Sequence, residues 1–233
     1  MARKKKTETD HIAETTEKVV SAALDHVVFD GWSDATLAAA IADSGVDTAL
    51  AKLAFPRGAI DLALAFHYRG DAAMTRAMAA LDLENMRYSE RVAKAVSLRL
   101  ELAAPDKEAV RRGVTFFSLP IHAADGARAI WHTSDAIWNS LGDTSRDVNW
   151  YTKRMTLSAV YSSCVLFWLG DESAGHDDTE AFINRRIENV MQFEKTKAKF
   201  KKTALGKAFA AGPGQFFAKV KAPVWPDDPK TQD

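Results

Sequence analysis

Histidines and carboxylates are the side chains of this 233-residue chain best suited to hold a metal or move a proton, and their spacing serves neither task. A di-iron centre in a helical bundle takes inward glutamates and two Glu-x-x-His pairs. The sole pair so spaced is Glu8 with His11, at the N-terminal end. His67, His122, His132 and His176 are scattered without the carboxylate spacing of a metal site. Neither a nucleophile elbow nor a phosphate-binding loop is present. The single cysteine, Cys164, sits in the apolar run from Val160 to Leu169, so no intramolecular disulfide and no CxxC pair can form, which points to a reducing compartment. The expectation is a protein with no catalytic residues, no metal and no cofactor.

What the chain has instead is aromatic density between Trp131 and Met155, in the run WHTSDAIWNSLGDTSRDVNWYTKRM. Trp138, Trp150 and Tyr151 flank a Gly-Asp turn and are interrupted by Asp143, Arg146 and Asp147, so at least one of them should lie near the surface. An exposed aromatic beside Arg154 makes a protein-docking anchor. The docking set expected on this ground is Ile137, Trp150, Tyr151 and Arg154, with Asp147 fixing the start of their helix. The competing reading packs both tryptophans inward and leaves the acids as helix caps. From Met155 to Leu169 apolar residues, among them Leu166 and Phe167, run around most of the circumference, which predicts a central buried helix.

The stretch from Lys195 to Lys221 holds eight lysines and no acid, interleaved with phenylalanine, leucine and valine. It reads as a basic membrane-surface segment, with Lys202, Leu205, Phe209, Phe216 and Phe217 as the contacts. The Gly212-Pro213-Gly214 interruption blurs its apolar stripe, and a solvated basic tail has the same composition.

Elements that position these residues follow from punctuation. Prolines and glycines at Pro56, Pro105, Pro120, Gly142, Gly170 and Gly212 to Gly214 separate segments of helical periodicity with no alternating strand pattern. This predicts an all-α bundle of about ten helices, near 10–30, 34–44, 48–54, 58–82, 86–103, 106–119, 124–141, 148–169, 178–200 and 203–221. Asp47, Asp106, Asp147 and Asp177 stand where first-turn amides need acceptors, and Asp177 with Glu180 has capping-box spacing. The organisation expected is a disordered basic arm over 1–9, a helix-turn-helix-like subdomain over 10–57, a ligand-binding helical domain over 58–200, a basic amphipathic helix over 201–222 and a disordered tail over 223–233.

Apolar residues make up 47% and charged residues 27%, which is globular composition. Lys plus Arg (31) equal Asp plus Glu (31), so no whole-molecule field draws the chain to nucleic acid or anionic lipid. No apolar run reaches the roughly 20 residues that span a bilayer, and the start MARKKKTETD lacks signal-peptide character. The expected location is cytoplasmic, or peripheral on the inner membrane face.

Two resemblances sharpen this. An aromatic and Gly31 after the first helix, Thr36 and Leu37 entering the second, Gly45 in the turn, and Phe55 followed by Gly58 resemble the helix-turn-helix of the TetR family. The third helix, VDTALAKLAF, offers one cation, Lys52, beside the repulsive Asp47, which is a poor set for phosphates and base edges. A TetR-type transcription regulator is the alternative reading, and no nucleic-acid partner is expected. The second resemblance rests on Trp131, Asp135, Trp138 and the run from Gly142 to Arg154, GDTSRDVNWYTKR. It continues through Tyr161, Asp171, Ser173, Phe182, Arg185 and Arg186. Together these resemble the coenzyme Q protein Nine family of ubiquinone biosynthesis accessory proteins, over roughly residues 15–195. The resemblance implies a TetR-like fold and a non-catalytic protein, and analogy to TetR folds implies a homodimer through the last long helices. The family resemblance also implies a partner that presents a lipid or quinone precursor to a demethoxyubiquinone hydroxylase at the membrane surface. A lipid cavity between the helices would then be walled by Phe116, Phe117, Leu119, Trp131, Tyr161, Val165 and Trp168.

Overall fold

In the computed structural model, residues 7–202 and 221–223 are described, with side chains through Gln192 in the first of these segments. Nine α-helices occur among them: α1 Glu8–Asp30, α2 Asp34–Ser44, α3 Thr48–Ala54, α4 Ala59–Ala79, α5 Tyr88–Glu101, α6 Lys107–Ser118, α7 Ala123–Ser140, α8 Val148–Gly170 and α9 Asp177–Lys202. Short 3-10 turns precede α6 and α9, and no strand occurs among the described residues. The all-α expectation holds, and the helix bounds fall within a few residues of those read from periodicity. The chain divides into two compact units. Residues 1–80 with 98–133 form one, and residues 81–97 with 134–233 form the other.

The first unit begins with a capping box. The Thr7 hydroxyl accepts from the Asp10 amide while the Asp10 carboxylate accepts from the Thr7 amide, so two orphan donors are satisfied reciprocally. Val19, Val20, Ala23 and Val27 recur at helical spacing down α1 and are buried with Trp32, Ala40, Phe55, Leu62, Ala63 and Ala109. This core takes in α4 and α6 as well as the three helices of the helix-turn-helix. The Trp32 indole donates to the Ala109 carbonyl at 3.0 Å, tying the α1–α2 turn to α6. At Gly58, φ is +67°, and a Cβ there would lie 2.5 Å from Asp34 Oδ1. That close approach lets the Asp34 carboxylate accept from the Ala59 amide at 2.9 Å and cap α4.

The second unit is built from α8 and α9 with the first turns of α5 and the end of α7. Its buried side chains include Ile137, Leu157, Tyr161, Cys164, Val165, Trp168 and Ile183. Asp147 caps α8 as expected, its carboxylate accepting from the Asn149 amide at 3.0 Å. Asp47 caps α3 likewise, its carboxylate accepting from the Ala49 amide at 2.8 Å, and the remaining two predicted acceptors differ. Asp106 stands at the α6 N-cap without a side-chain cap bond and faces Arg69 instead. At α9 the acceptor is Asp171, which takes the Thr179 amide at 2.9 Å, because the 3-10 turn at Ala174–His176 moves the cap upstream of Asp177.

One expectation for α8 is corrected. Met155 and Leu166 are each 61% exposed, Ala159 and Phe167 are exposed too, and one long face of the helix is therefore free of the unit's core. Apolar residues around a circumference do not require burial on every side. The predicted membrane segment lies mostly outside the described residues: Leu205, Phe209, Phe216 and Phe217 fall there, and Lys202 is described only as the last residue of α9. Of the disordered arm expected over 1–9, residues 1–6 lie outside the described residues, while Thr7 caps α1 and residues 8–9 belong to it; of the tail expected over 223–233, residues 224–233 lie outside. Residues 221–223 have no helical structure, and the Ala222 amide donates to the Arg146 carbonyl at 2.9 Å. Among the described residues no helix is long and apolar enough to cross a membrane.

Candidate binding cavity

Four helices of the second unit each turn one face toward a cavity of about 240 Å³. From α5 come Tyr88 and Val92, one turn apart; from α7, Trp138; from α9, Ile187, Val190 and Met191. The α8 face is Asn149, Thr152, Lys153, Thr156, Leu157 and Val160, a stripe at spacings of three and four residues. Leu157 and Val160 are buried, whereas Asn149 and Thr156 are exposed, so the wall grades from apolar to polar along the helix. Tyr88, 42% exposed, stacks on Trp138 with ring centroids 5.8 Å apart and planes at 28°.

A charged network holds the polar end of this face. Arg154 is fully buried; its guanidinium donates to Asp135 at 2.5 Å, to Asp143 at 3.1 Å, to the Asn139 side chain and to the Trp150 carbonyl, and it lies 4.1 Å from the Trp150 ring centroid. Lys153 donates to Asp143 at 2.7 Å and to the Ser145 hydroxyl at 2.8 Å. Burial acting alone would raise the Asp143 carboxyl, but hydrogen bonds from Lys153, Ser145 and Arg154 outweigh it and hold the group down to about 2. The network pins the 141–147 turn to α7 and α8, and with it the cavity wall.

The residues expected from sequence are distributed differently. Phe116, Phe117, Leu119 and Trp131 belong to the first unit; Phe116 stacks on His122 at 4.1 Å, and Leu119 is exposed. Tyr161, Val165 and Trp168 are buried in the second unit, on α8 turns beyond the cavity. None of the seven lines it. In the docking set, Ile137 and Arg154 are buried and so lie beneath the surface, while Trp150 and Tyr151 are partly exposed and pack edge to face at 4.8 Å. Thr152 and Lys153, within the run from Gly142 to Arg154, and Thr156 are polar types that by themselves mark a solvent face. Their spacing with Leu157 and Val160 was the available signal.

A second polar cluster lies in the first unit. Asp71 is buried and accepts from Arg99 at 2.8 Å and from the Thr133 hydroxyl at 3.0 Å, with His132 at 2.8 Å and His67 at 3.6 Å. A carboxylate between two histidines has metal-ligand character, but here the Arg99 guanidinium fills the cation's place. Among the described residues no group of three or more His, Cys, Asp or Glu side chains is placed to hold a metal. Burial pushes the Cys164 thiol up to about 11, far from thiolate reactivity.

A family model for COQ9 matches residues 123–194, which carry α7, α8 and most of α9. The resemblance to COQ9 is borne out. The human ubiquinone biosynthesis protein COQ9, mitochondrial, is 27% identical over 202 residues, covering 84% of this chain and 63% of that protein. The rat COQ9 protein is 26% identical over the same length, and that of Xenopus tropicalis 29% identical over 182 residues. This chain spans less than two thirds of the length of these COQ9 relatives. Among solved structures, a TetR transcriptional regulator from Nitrosomonas europaea superposes with a TM-score of 0.60 at 18% identity, over 75% of this chain and 97% of that one. The fold is TetR-like. All the cavity residues except those from α5 fall inside the segment matched to COQ9.

Proposed function

We propose that this chain is a non-catalytic, lipid-binding accessory protein of ubiquinone biosynthesis that presents a quinone precursor to a demethoxyubiquinone hydroxylase at the membrane surface. The observation that carries this reading is the cavity itself: an apolar-walled space of about 240 Å³ whose α7, α8 and α9 walls coincide with the COQ9-like segment. Concave, mostly apolar spaces with a few polar groups at one end are what small lipophilic ligands occupy. The absence of an activated nucleophile at Cys164 and the filling of the Asp71 cluster by Arg99 support an accessory role over a catalytic one. The exposed face of α3 offers Thr48, Ala49, Lys52 and Leu53, and a single cation is a thin reader for DNA.

Native mass spectrometry of the purified chain tests the reading. A co-purifying or added prenylated quinone should appear as a bound mass; a chain that stays lipid-free with every isoprenoid offered removes it. Docking of the hydroxylase belongs to the same proposal, with Trp150 and Tyr151 as the accessible anchors above the buried Arg154. Trp150→Ala should weaken that complex, and unchanged complex formation would discard this face. A homodimer through α8 and α9 is supported by the exposed apolar face at Met155, Leu166 and Phe167, the last stacked on Phe182 at 4.3 Å. Sedimentation equilibrium showing only monomer would exclude it. The proposed place is peripheral, on the cytoplasmic face of the inner membrane.

A further inference from the structure

A polyprenyl quinone has two chemically different ends, and a cavity of about 240 Å³ is below the usual range of small-molecule sites, so it takes one end and not the whole molecule. The cavity wall decides which. Among the described residues, four buried side-chain nitrogens lack a hydrogen-bond partner: His122 Nδ1, Trp138 Nε1, His176 Nδ1 and Arg186 Nε. Of these residues, Trp138 alone lines the cavity. Its indole is 9% exposed, and an indole N–H can only donate. Buried donors in folded proteins are nearly always paired, so the unpaired indole N–H, covered by its neighbours on a residue that borders the cavity, gains an acceptor if the ring turns toward a ligand there.

Three of the other polar residues of the wall, besides the hydroxyls of Tyr88, Ser89 and Thr156, are already engaged. Lys153 donates to Asp143 and Ser145, the Asn149 amide donates to Asp147 at 2.9 Å, and the Thr152 hydroxyl donates to the Asn149 carbonyl. Tyr88, stacked on Trp138, adds a flat aromatic surface beside the indole. A hydrocarbon tail would leave the Trp138 N–H unmet, whereas an oxygenated ring supplies an acceptor.

We propose that the cavity receives the ring end of the lipid, a ring carbonyl or ether oxygen accepting from Trp138 Nε1–H on a small shift of the indole, with the prenyl tail outside it. This rests on the lipid-binding reading above and specifies which part of the lipid is recognised. The test titrates wild type and Trp138→Phe with two probes of matched size, decylbenzoquinone and decylbenzene, read by native mass spectrometry. Wild type should prefer the quinone, and Trp138→Phe should lose about tenfold in quinone affinity, the scale of one net hydrogen bond, with decylbenzene affinity unchanged. In wild type the nitrogen-labelled indole resonance of Trp138 should move on adding the quinone and stay in place with decylbenzene, which decides the matter even where the variant does not fold. Equal wild-type affinity for the two probes, equal losses in the variant, or an indole resonance indifferent to the quinone overturns the ring-end assignment and leaves lipid binding standing. Failure of wild type to bind either probe overturns both.

Discussion

Gly70 shows how one missing side chain can be required by a contact remote in sequence. It lies inside α4, where replacing glycine with alanine ordinarily stabilises a helix by about 0.5–1 kcal/mol. Here a Cβ would stand 2.5 Å from Arg99 Cζ. Arg99 cannot swing aside without cost, because it donates to Asp71 at 2.8 Å and to the His67 carbonyl at 3.1 Å. Asp71 would then be buried without its guanidinium partner, a loss of about 3 kcal/mol or more for a buried pair. Gly70→Ala should therefore lower the urea midpoint sharply; a rise would show that the guanidinium repacks freely. Nothing in the sequence near Gly70 or Arg99 announces the pair. Trp138 is the converse case: the sequence leaves it open between a surface and a buried aromatic, and both its burial and its unpaired N–H emerge only from its neighbours.

At the scale of the element, α8 carries most of the site. Its start was legible because an aspartate ahead of a helical run is a local signal, and Asp147 meets it with bonds to the Asn149 amide and side chain. Asp147→Ala should cost about 1 kcal/mol, the usual value of an N-cap, while leaving the Arg154 network intact. Thermal denaturation checks this, and a loss several times larger would mean that the cap holds the whole 141–147 turn. The faces of α8 were not legible. Leu157, Val160, Leu166 and Phe167 look alike in sequence, yet the first two wall the cavity and the last two face outward. Helical spacing gives the angle between residues but not which neighbour occupies each direction.

The whole molecule should respond to acid in two stages. Burial presses the His67 imidazole down from 6.5 to about 4, against the pull of Asp71. His67 is thus neutral in the folded chain at pH values where the unfolded chain protonates it. Its contribution is complete above about pH 6.5 and is lost as pH falls toward about 4, by up to about 3 kcal/mol. Below that, carboxylates held low in the folded state take over. Asp143, at about 2, and Asp171, lowered by hydrogen bonds from Ser173 and Thr179, stay ionised after their unfolded counterparts protonate. Stability should decline from pH 7 to 5 and decline further below 4. Urea midpoints across this range check it; a flat profile between pH 7 and 5 would contradict a buried neutral His67, and His67→Gln should flatten that limb.

The all-helical class, the caps at Asp47 and Asp147, the helix-turn-helix pattern and the resemblance to COQ9 were determined by the sequence itself. Each is written in residues within a turn or two of one another or in a contiguous motif. The tertiary structure decided which aromatic residues surround empty space, that Arg154 and Ile137 lie inside, and that Asp71, Arg99, His67 and His132 form one cluster. These depend on helices distant in sequence meeting at particular angles, and an apolar residue carries the same identity whether it fills a core or borders a void.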